Sequence, residues 1–150
     1  MEDNKIMSEF QFIDSYIKNS NIKIYNRDMK NSKLELGVEV NISEIKENKN
    51  ELSAELRLKN IIKIRNQNGD TLVEIEVEMA GIFKAHNMDK DKFMQFMKFS
   101  GTPIISQAIR SYVMNISALS GIDTIRIPLI NYVEFFKNNN ENIEKNKEVK

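Results

Sequence analysis

With 150 residues, 41% of them hydrophobic and 29% charged, the chain has the size of one domain, too apolar for disorder and too charged to lie within a bilayer. Basic and acidic residues balance at 22 each, so the field that phosphate binding needs is missing and nucleic acid is excluded as the main partner. Cysteine is absent, which removes disulfides and thiolate metal sites and fits a reducing cytoplasm.

Met1-Glu2-Asp3-Asn4-Lys5 is polar and lacks an apolar core, so no signal peptide is expected. No apolar run approaches the length of a bilayer span, so no membrane insertion is expected either. From Glu9 to Ile24, Phe10, Phe12, Ile13, Tyr16, Ile17, Ile22 and Ile24 mix with polar residues, and the phase breaks around Asp14. A long first strand with a bulge would give that pattern. Tyr25 to Ser32 is a polar loop whose lone large apolar residue is Met29. Leu34, Leu36, Val38, Val40 and Ile42 alternate with Glu35, Gly37, Glu39 and Asn41, which predicts a second strand. Glu47 to Asn50 reads as a turn. Leu52, Ala54, Leu56, Leu58, Ile62 and Ile64 share one phase and predict a third strand.

Asn68-Gly69 is a strong hairpin signal, and Val73-Glu74-Ile75-Glu76-Val77-Glu78-Met79 beyond it is a strand with one dry and one acidic face. A two-residue turn at Asn68-Gly69 sets Lys63 against Glu74, Lys59 against Glu78, Ile62 against Ile75 and Leu58 against Met79. Charges then match on one face and apolar groups on the other, so the register supports itself. Glu76 faces Ile61 and is left without a lysine.

The pattern changes after Phe83. Phe93, Met94, Phe96 and Met97 recur at helical spacing behind Asp89 and Asp91. Gly101-Thr102-Pro103 interrupts them. Ile104, Ile105, Ala108, Ile109, Tyr112, Val113, Ile116 and Leu119 mark a long helix, with Pro103 in its first turn and Gly121 at its end. Ile122 to Pro128 reads as extended. Asn131 is an N-cap candidate for a last helix through Phe135 and Phe136. Strands followed by helices give an α+β fold: a four-stranded antiparallel sheet with a long helix and a C-terminal helix on one face. Residues 1–136 form the domain, and 137–150 form a charged, disordered tail.

Catalytic constellations are missing. His86 is the only histidine, so triad and zinc chemistry have little to work with, and no glycine-rich phosphate loop exists. No cofactor, no metal and no enzymatic activity are expected. A small-ligand carrier or enzyme would need a closed pocket between sheet and helices. Apolar surface exceeds what one small core can use, and eight Met and eight Phe suit adaptable contacts as well as ordinary core filling.

Glu76-Val77-Glu78-Met79-Ala80-Gly81-Ile82-Phe83 resembles the acidic strand ending in Gly-Ile-Phe of the SecB-type protein-export chaperones. Thr102-Pro103-Ile104-Ile105 resembles the start of that family's long helix, Pro128-Leu129-Ile130-Asn131-Tyr132 its Pro-x-Asn-Phe, and Tyr16-Ile17-Lys18-Asn19 its Tyr-x-Lys-Asp. The resemblance spans residues 10 to 136. It implies a homotetramer built as a dimer of dimers, an ATP-independent holdase for unfolded preproteins or other non-native polypeptides. It also implies a client groove including Ile24, Met29, Val40, Ile42, Leu129, Tyr132 and Phe136. Glu76, with Glu74 and Glu78 beside it, falls on the SecA-docking face. Val73, Ile75, Val77, Met79, Ile109, Tyr112, Val113 and Ile116 fall at subunit interfaces. The chain departs from the pattern where Asn19 and Lys23 replace acidic residues, so much of the SecA-docking charge is missing. A chaperone dedicated to one partner, such as the antitoxin of a toxin–antitoxin pair, fits as well.

Overall fold

The computed structural model describes residues 8–139, so the N-terminal pentapeptide and most of the 137–150 tail lie outside the described residues. Five strands come first: β1 (Phe10–Ile24), β2 (Lys33–Ile42), β3 (Lys46–Asn48), β4 (Glu51–Arg65) and β5 (Thr71–His86). All pairings are antiparallel, in the order β1-β5-β4-β2, and β3 continues the β2 edge along the first residues of β4. The α+β architecture is the expected one. The addition is β3, whose Lys46, Glu47 and Asn48 are all exposed and so carry no alternation to read. The turn expected over Glu47–Asn50 contracts to Lys49-Asn50, with φ of 50° and 66°, the double left-handed geometry that tight hairpins need.

The β4–β5 register matches expectation pair for pair: Lys63 with Glu74, Ile61 with Glu76, Lys59 with Glu78, Ile62 with Ile75 and Leu58 with Met79. The turn reaches it differently. Asn66 Oδ1 accepts the amides of Asn68 and Asp70, both at 2.9 Å, so the loop runs over Asn66–Asp70 and Arg65 pairs with Thr71. The register then shifts before Ile64–Val73, and the extra residue, Leu72, restores the pairing a two-residue turn would have given. In β1 the expected bulge lies between Phe12 and Asp14, and a second lies between Ile17 and Asn19.

One sheet face is dry. Leu56, Leu58 and Ile62 of β4 and Val73, Ile75, Val77 and Phe83 of β5 are fully buried there. The helices cover this face. In α1 (Lys90–Phe96) the first turn is capped by Asp89, whose Oδ1 accepts the Lys92 amide at 2.7 Å. The expected break at Gly101-Thr102-Pro103 is instead a π-helical turn, Met97–Gly101, that leads directly into α2 (Thr102–Leu119). Pro103 has no N–H to donate, and the wider turn before it keeps the helix continuous. Phe10 stacks on Phe83 and Phe96, both at 5.2 Å between ring centres, and ties the start of β1 to α1.

Gly121, at φ 74°, turns the chain out of α2. Residues 122–131 then run back along α2 without joining the sheet. Side chains of α2 hold them: Ser117 Oγ accepts the Ile125 amide at 3.0 Å, and Arg110 Nε donates to the Ile127 carbonyl at 2.9 Å. Ile122, Ile125 and Ile127 are thereby laid into the core. A last helix, α3, covers residues 132–139. Asn131 Oδ1 accepts the Glu134 amide at 3.2 Å, as an N-cap should.

Candidate functional site

Among the described residues no constellation for chemistry emerges. Among the described residues no group of three or more His, Cys, Asp or Glu side chains could hold a metal ion. His86 sits exposed at the end of β5, 3.4 Å from Glu51 Oε2. What the fold builds is two contrasting surfaces, the bare outer face of the sheet and the apolar margins of its inner face.

On the outer face the register sets charges in alternating rows. Glu35, Lys63, Glu74 and Lys23 follow one another across β2, β4, β5 and β1, and Glu39, Lys59, Glu78 and Asn19 form a second row. Between them a shallow dish has Ile61 in its lining, with Asn21, Lys23, Lys63, Glu74 and Glu76 around it. Glu76 has its lysine after all. Lys59 Nζ lies 2.8 Å from Glu76 Oε1, on the diagonal rather than straight across. That bond and the carboxylate charge hold the Lys59 ammonium above its ordinary pKa. Further along, the Tyr16 hydroxyl donates to Glu55 Oε1. The bond holds the Glu55 carboxyl below its usual range and the Tyr16 phenol above its own. Glu74, Glu76 and Glu78 therefore stand among Lys23, Lys59 and Lys63 rather than forming an open acidic stripe.

On the inner face the helices reach β5 and β4 and leave the outer strands partly bare. Leu34, Leu36, Val38, Val40 and Ile42 of β2 form a continuous half-buried row, joined by Met29 and Ile45. At the opposite edge Phe12 and Ile17 stay 41% and 42% exposed.

The residues expected in one groove do not meet in one place. Val40 and Ile42 lie on the β2 row, whereas Ile24 lies on β1 with β5 and β4 between them. Met29 is half-buried in the β1–β2 loop. Leu129 is 83% exposed, while Tyr132 and Phe136 are buried. Tyr132 donates to Ser106 Oγ at 2.9 Å, and Phe136 packs edge-on against Phe99 at 5.8 Å. Burial raises the Tyr132 phenol above its ordinary pKa. The rest of the β2 row, Leu34, Leu36 and Val38, was visible as alternation but was assigned no role.

The residues expected at subunit interfaces divide similarly. Val73, Ile75, Val77, Ile109 and Val113 have no exposed surface and Met79 has 8%, so the chain's own core uses them. Tyr112, whose hydroxyl lies 2.6 Å from Ser20 Oγ, and Ile116 are half-buried. On α2 the large apolar side chains left outside are Ile104, at 42%, and Leu119, at 86%. Helical spacing reveals a buried stripe, but it does not say whether the cover comes from the same chain.

Comparison with curated proteins returns no match. Among solved structures, a Mycobacterium tuberculosis SecB-like chaperone in complex with a ChAD peptide from the HigA1 antitoxin superposes with a TM-score of 0.68 at 14% sequence identity, covering 81% of this chain and 91% of that one. The likeness is one of fold: an antiparallel sheet, a long helix and a C-terminal helix in the same arrangement. The family model described as preprotein translocase subunit SecB matches residues 3–143, nearly the whole sequence. The chain belongs to the SecB family.

Proposed function

We propose that the protein is a chaperone that holds non-native polypeptides without nucleotide. The observation that carries this reading is the half-buried apolar row of β2 on a SecB-family fold. A strand that keeps Leu34, Leu36, Val38, Val40 and Ile42 half in water retains hydrophobic free energy for another chain. Each large apolar side chain that a client buries contributes about 1.5–3 kcal/mol, and several along one chain offset its ordering cost without demanding a sequence. The row lacks strong polar features that would select one sequence, so a broad set of extended apolar segments would be accepted.

Further association with copies of the chain fits the exposed apolar groups Phe12 and Ile17 at the other margin and Ile104 on α2, and would multiply the binding rows. No helix among the described residues is long and apolar enough to cross a membrane. On the face that the resemblance assigns to SecA docking, Glu74, Glu76 and Glu78 are balanced by Lys23, Lys59 and Lys63, so delivery to SecA is not part of this reading. The test is aggregation of a chemically denatured model protein with and without the chaperone, in the absence of nucleotide. Suppression near stoichiometric amounts is expected, and no effect at excess would overturn the proposal.

A dedicated chaperone for one partner is the second reading. The structural neighbour bound to an antitoxin peptide favours it. Pull-down from a lysate separates the two readings, with many unfolded clients under the first and one stoichiometric partner under the second.

A further inference from the structure

The inward row of β4 reads Leu52, Ala54, Leu56, Leu58, Asn60, Ile62, Ile64, and Asn60 is its one polar residue. Asn60 is 0% exposed, between Val38 of β2 and Val77 of β5. Its Oδ1 and Nδ2 both lack a hydrogen-bond partner. The other buried polar side chains are satisfied: Thr102 donates to the Met97 carbonyl, Ser106 accepts from Tyr132, and Ser117 accepts the Ile125 amide. A buried carboxamide with neither end paired is costly, and a leucine there would continue the row without that cost.

We infer that Asn60 is a concealed anchor for the main chain of a bound polypeptide. The inference rests on the holdase reading and deepens it by naming what the site recognises besides grease. In an extended chain the N–H and C=O of one residue point to the same side, as they do when two strands exchange a pair of bonds. A carboxamide offers the complementary pair: Oδ1 accepts the N–H and Nδ2 donates to the C=O. Such a contact reads the backbone and ignores the side chain, which is what a holder of many sequences requires.

Its position suits the task. Asn60 lies one strand in from the half-buried β2 row, beside Val38. In the free chain it is closed off, so the cover must move for a client to reach it. Leu58 and Ile62, which flank Asn60 in the inward row of β4, share one core cluster with Ile122, Ile125 and Ile127, and residues 122–131 belong to no ladder or helix, so this segment is taken as the part that yields. A client that displaces this segment replaces its apolar groups with its own and satisfies an amide that the free chain leaves unpaired.

The experiment uses the full chain, the variant Asn60→Leu, and a fluorescein-labelled peptide with one short apolar run between charged ends, so that a single register fits. A companion set of peptides carries an N-methyl group at each position of the run in turn. Asn60→Leu is expected to melt at a higher temperature than wild type and to bind the peptide about tenfold more weakly, the worth of one buried hydrogen-bonded contact. One N-methyl position is expected to weaken binding to wild type and to leave binding to Asn60→Leu unchanged. Equal affinity of the two proteins, or a flat methylation series on wild type, would overturn the anchor, and the series decides the matter even if the variant fails to fold. A wild type that binds the peptides while Asn60→Leu binds them equally well removes the anchor and leaves the holdase reading standing. A wild type that binds no peptide and suppresses no aggregation removes both.

Discussion

Gly81 of β5 lies directly beneath Ile105 of α2. A Cβ built on Gly81 would fall 2.9 Å from Ile105 Cγ1 and closer still to Cδ1, with Phe83 Cε2 at 3.0 Å on another side. The absence of a side chain at Gly81 therefore sets how closely the long helix approaches the sheet.

Gly81→Ala should destabilise the fold by about 1–3 kcal/mol, the usual cost of overpacking a filled core. Ile105 and Phe83 are both fully buried and have little room to yield. Urea denaturation measures it through the midpoint. Gly81→Ala paired with Ile105→Val should recover part of the loss, because the shorter side chain vacates the disputed space.

Lys59 and Glu76 should report their contact by titration. The carboxylate raises the lysine's pKa, so any stability from the pair is present below the unfolded lysine's value and is lost as pH rises through the folded one. In Glu76→Gln the Lys59 pKa should fall when followed by NMR, with Glu39 and Glu78 still holding part of the rise. Because both side chains are partly exposed, at 30% and 32%, the wild-type shift should shrink as salt is added. A Lys59 that titrates alike in both proteins would mean the diagonal pair does not form in solution.

Tyr132 makes the attachment of α3 sensitive to alkali. Burial raises its phenol above 10.0 in the folded chain, outweighing the Ser106 hydrogen bond, which acts the other way. The folded state therefore keeps a proton that the unfolded state gives up. The associated stability is whole below the unfolded pKa and drains away as pH climbs through the folded one. Absorbance of tyrosinate should show two late-titrating tyrosines, Tyr16 and Tyr132, and one of them should be lost in Tyr132→Phe. Protease cleavage near residues 132–139 should rise over the same pH range in wild type.

Arg110 should govern the return segment. It donates to the Ile127 carbonyl at 2.9 Å and to Gln107 Oε1 at 2.9 Å. Arg110→Ala leaves a carbonyl in the part-buried 122–131 segment without its charged donor and should cost about 1–3 kcal/mol. Hydrogen exchange should quicken at Ile125 and Ile127 while the amides of β4 and β5 keep their protection. Uniform acceleration across the sheet would show instead that the segment and the core open together.

Much of the sheet could be read from residue order because two independent patterns agreed. Val73, Ile75, Val77 and Met79 demanded a dry face, and Lys59 and Lys63 demanded Glu78 and Glu74, so the register was fixed twice over. The turn was misread because the Asn66 side chain captures two amides, a geometry that an Asn-Gly pair does not advertise, and Leu72 then absorbs the difference. Glu76 has only Ile61 directly opposite it, but the Lys59 side chain is long enough to reach it on the diagonal. The candidate site was less legible. Alternation identifies Val40 and Ile42 as apolar, but how far a helix extends over them is set by packing between distant segments. Tyr132 and Phe136 were correctly seen as apolar, yet Ser106 and Phe99 draw them inward.

The two rims of the sheet differ in straightness. β2 runs from Lys33 to Ile42 in unbroken register with β4, while β1 is dislocated twice, at Ile13 and at Lys18. An even rim invites another strand and a crooked one discourages it. Growth by strand addition is thereby confined to a single side, so a pair of sheets joined there would have no second straight border to extend from, and the geometry that welcomes a guest also stops a fibre.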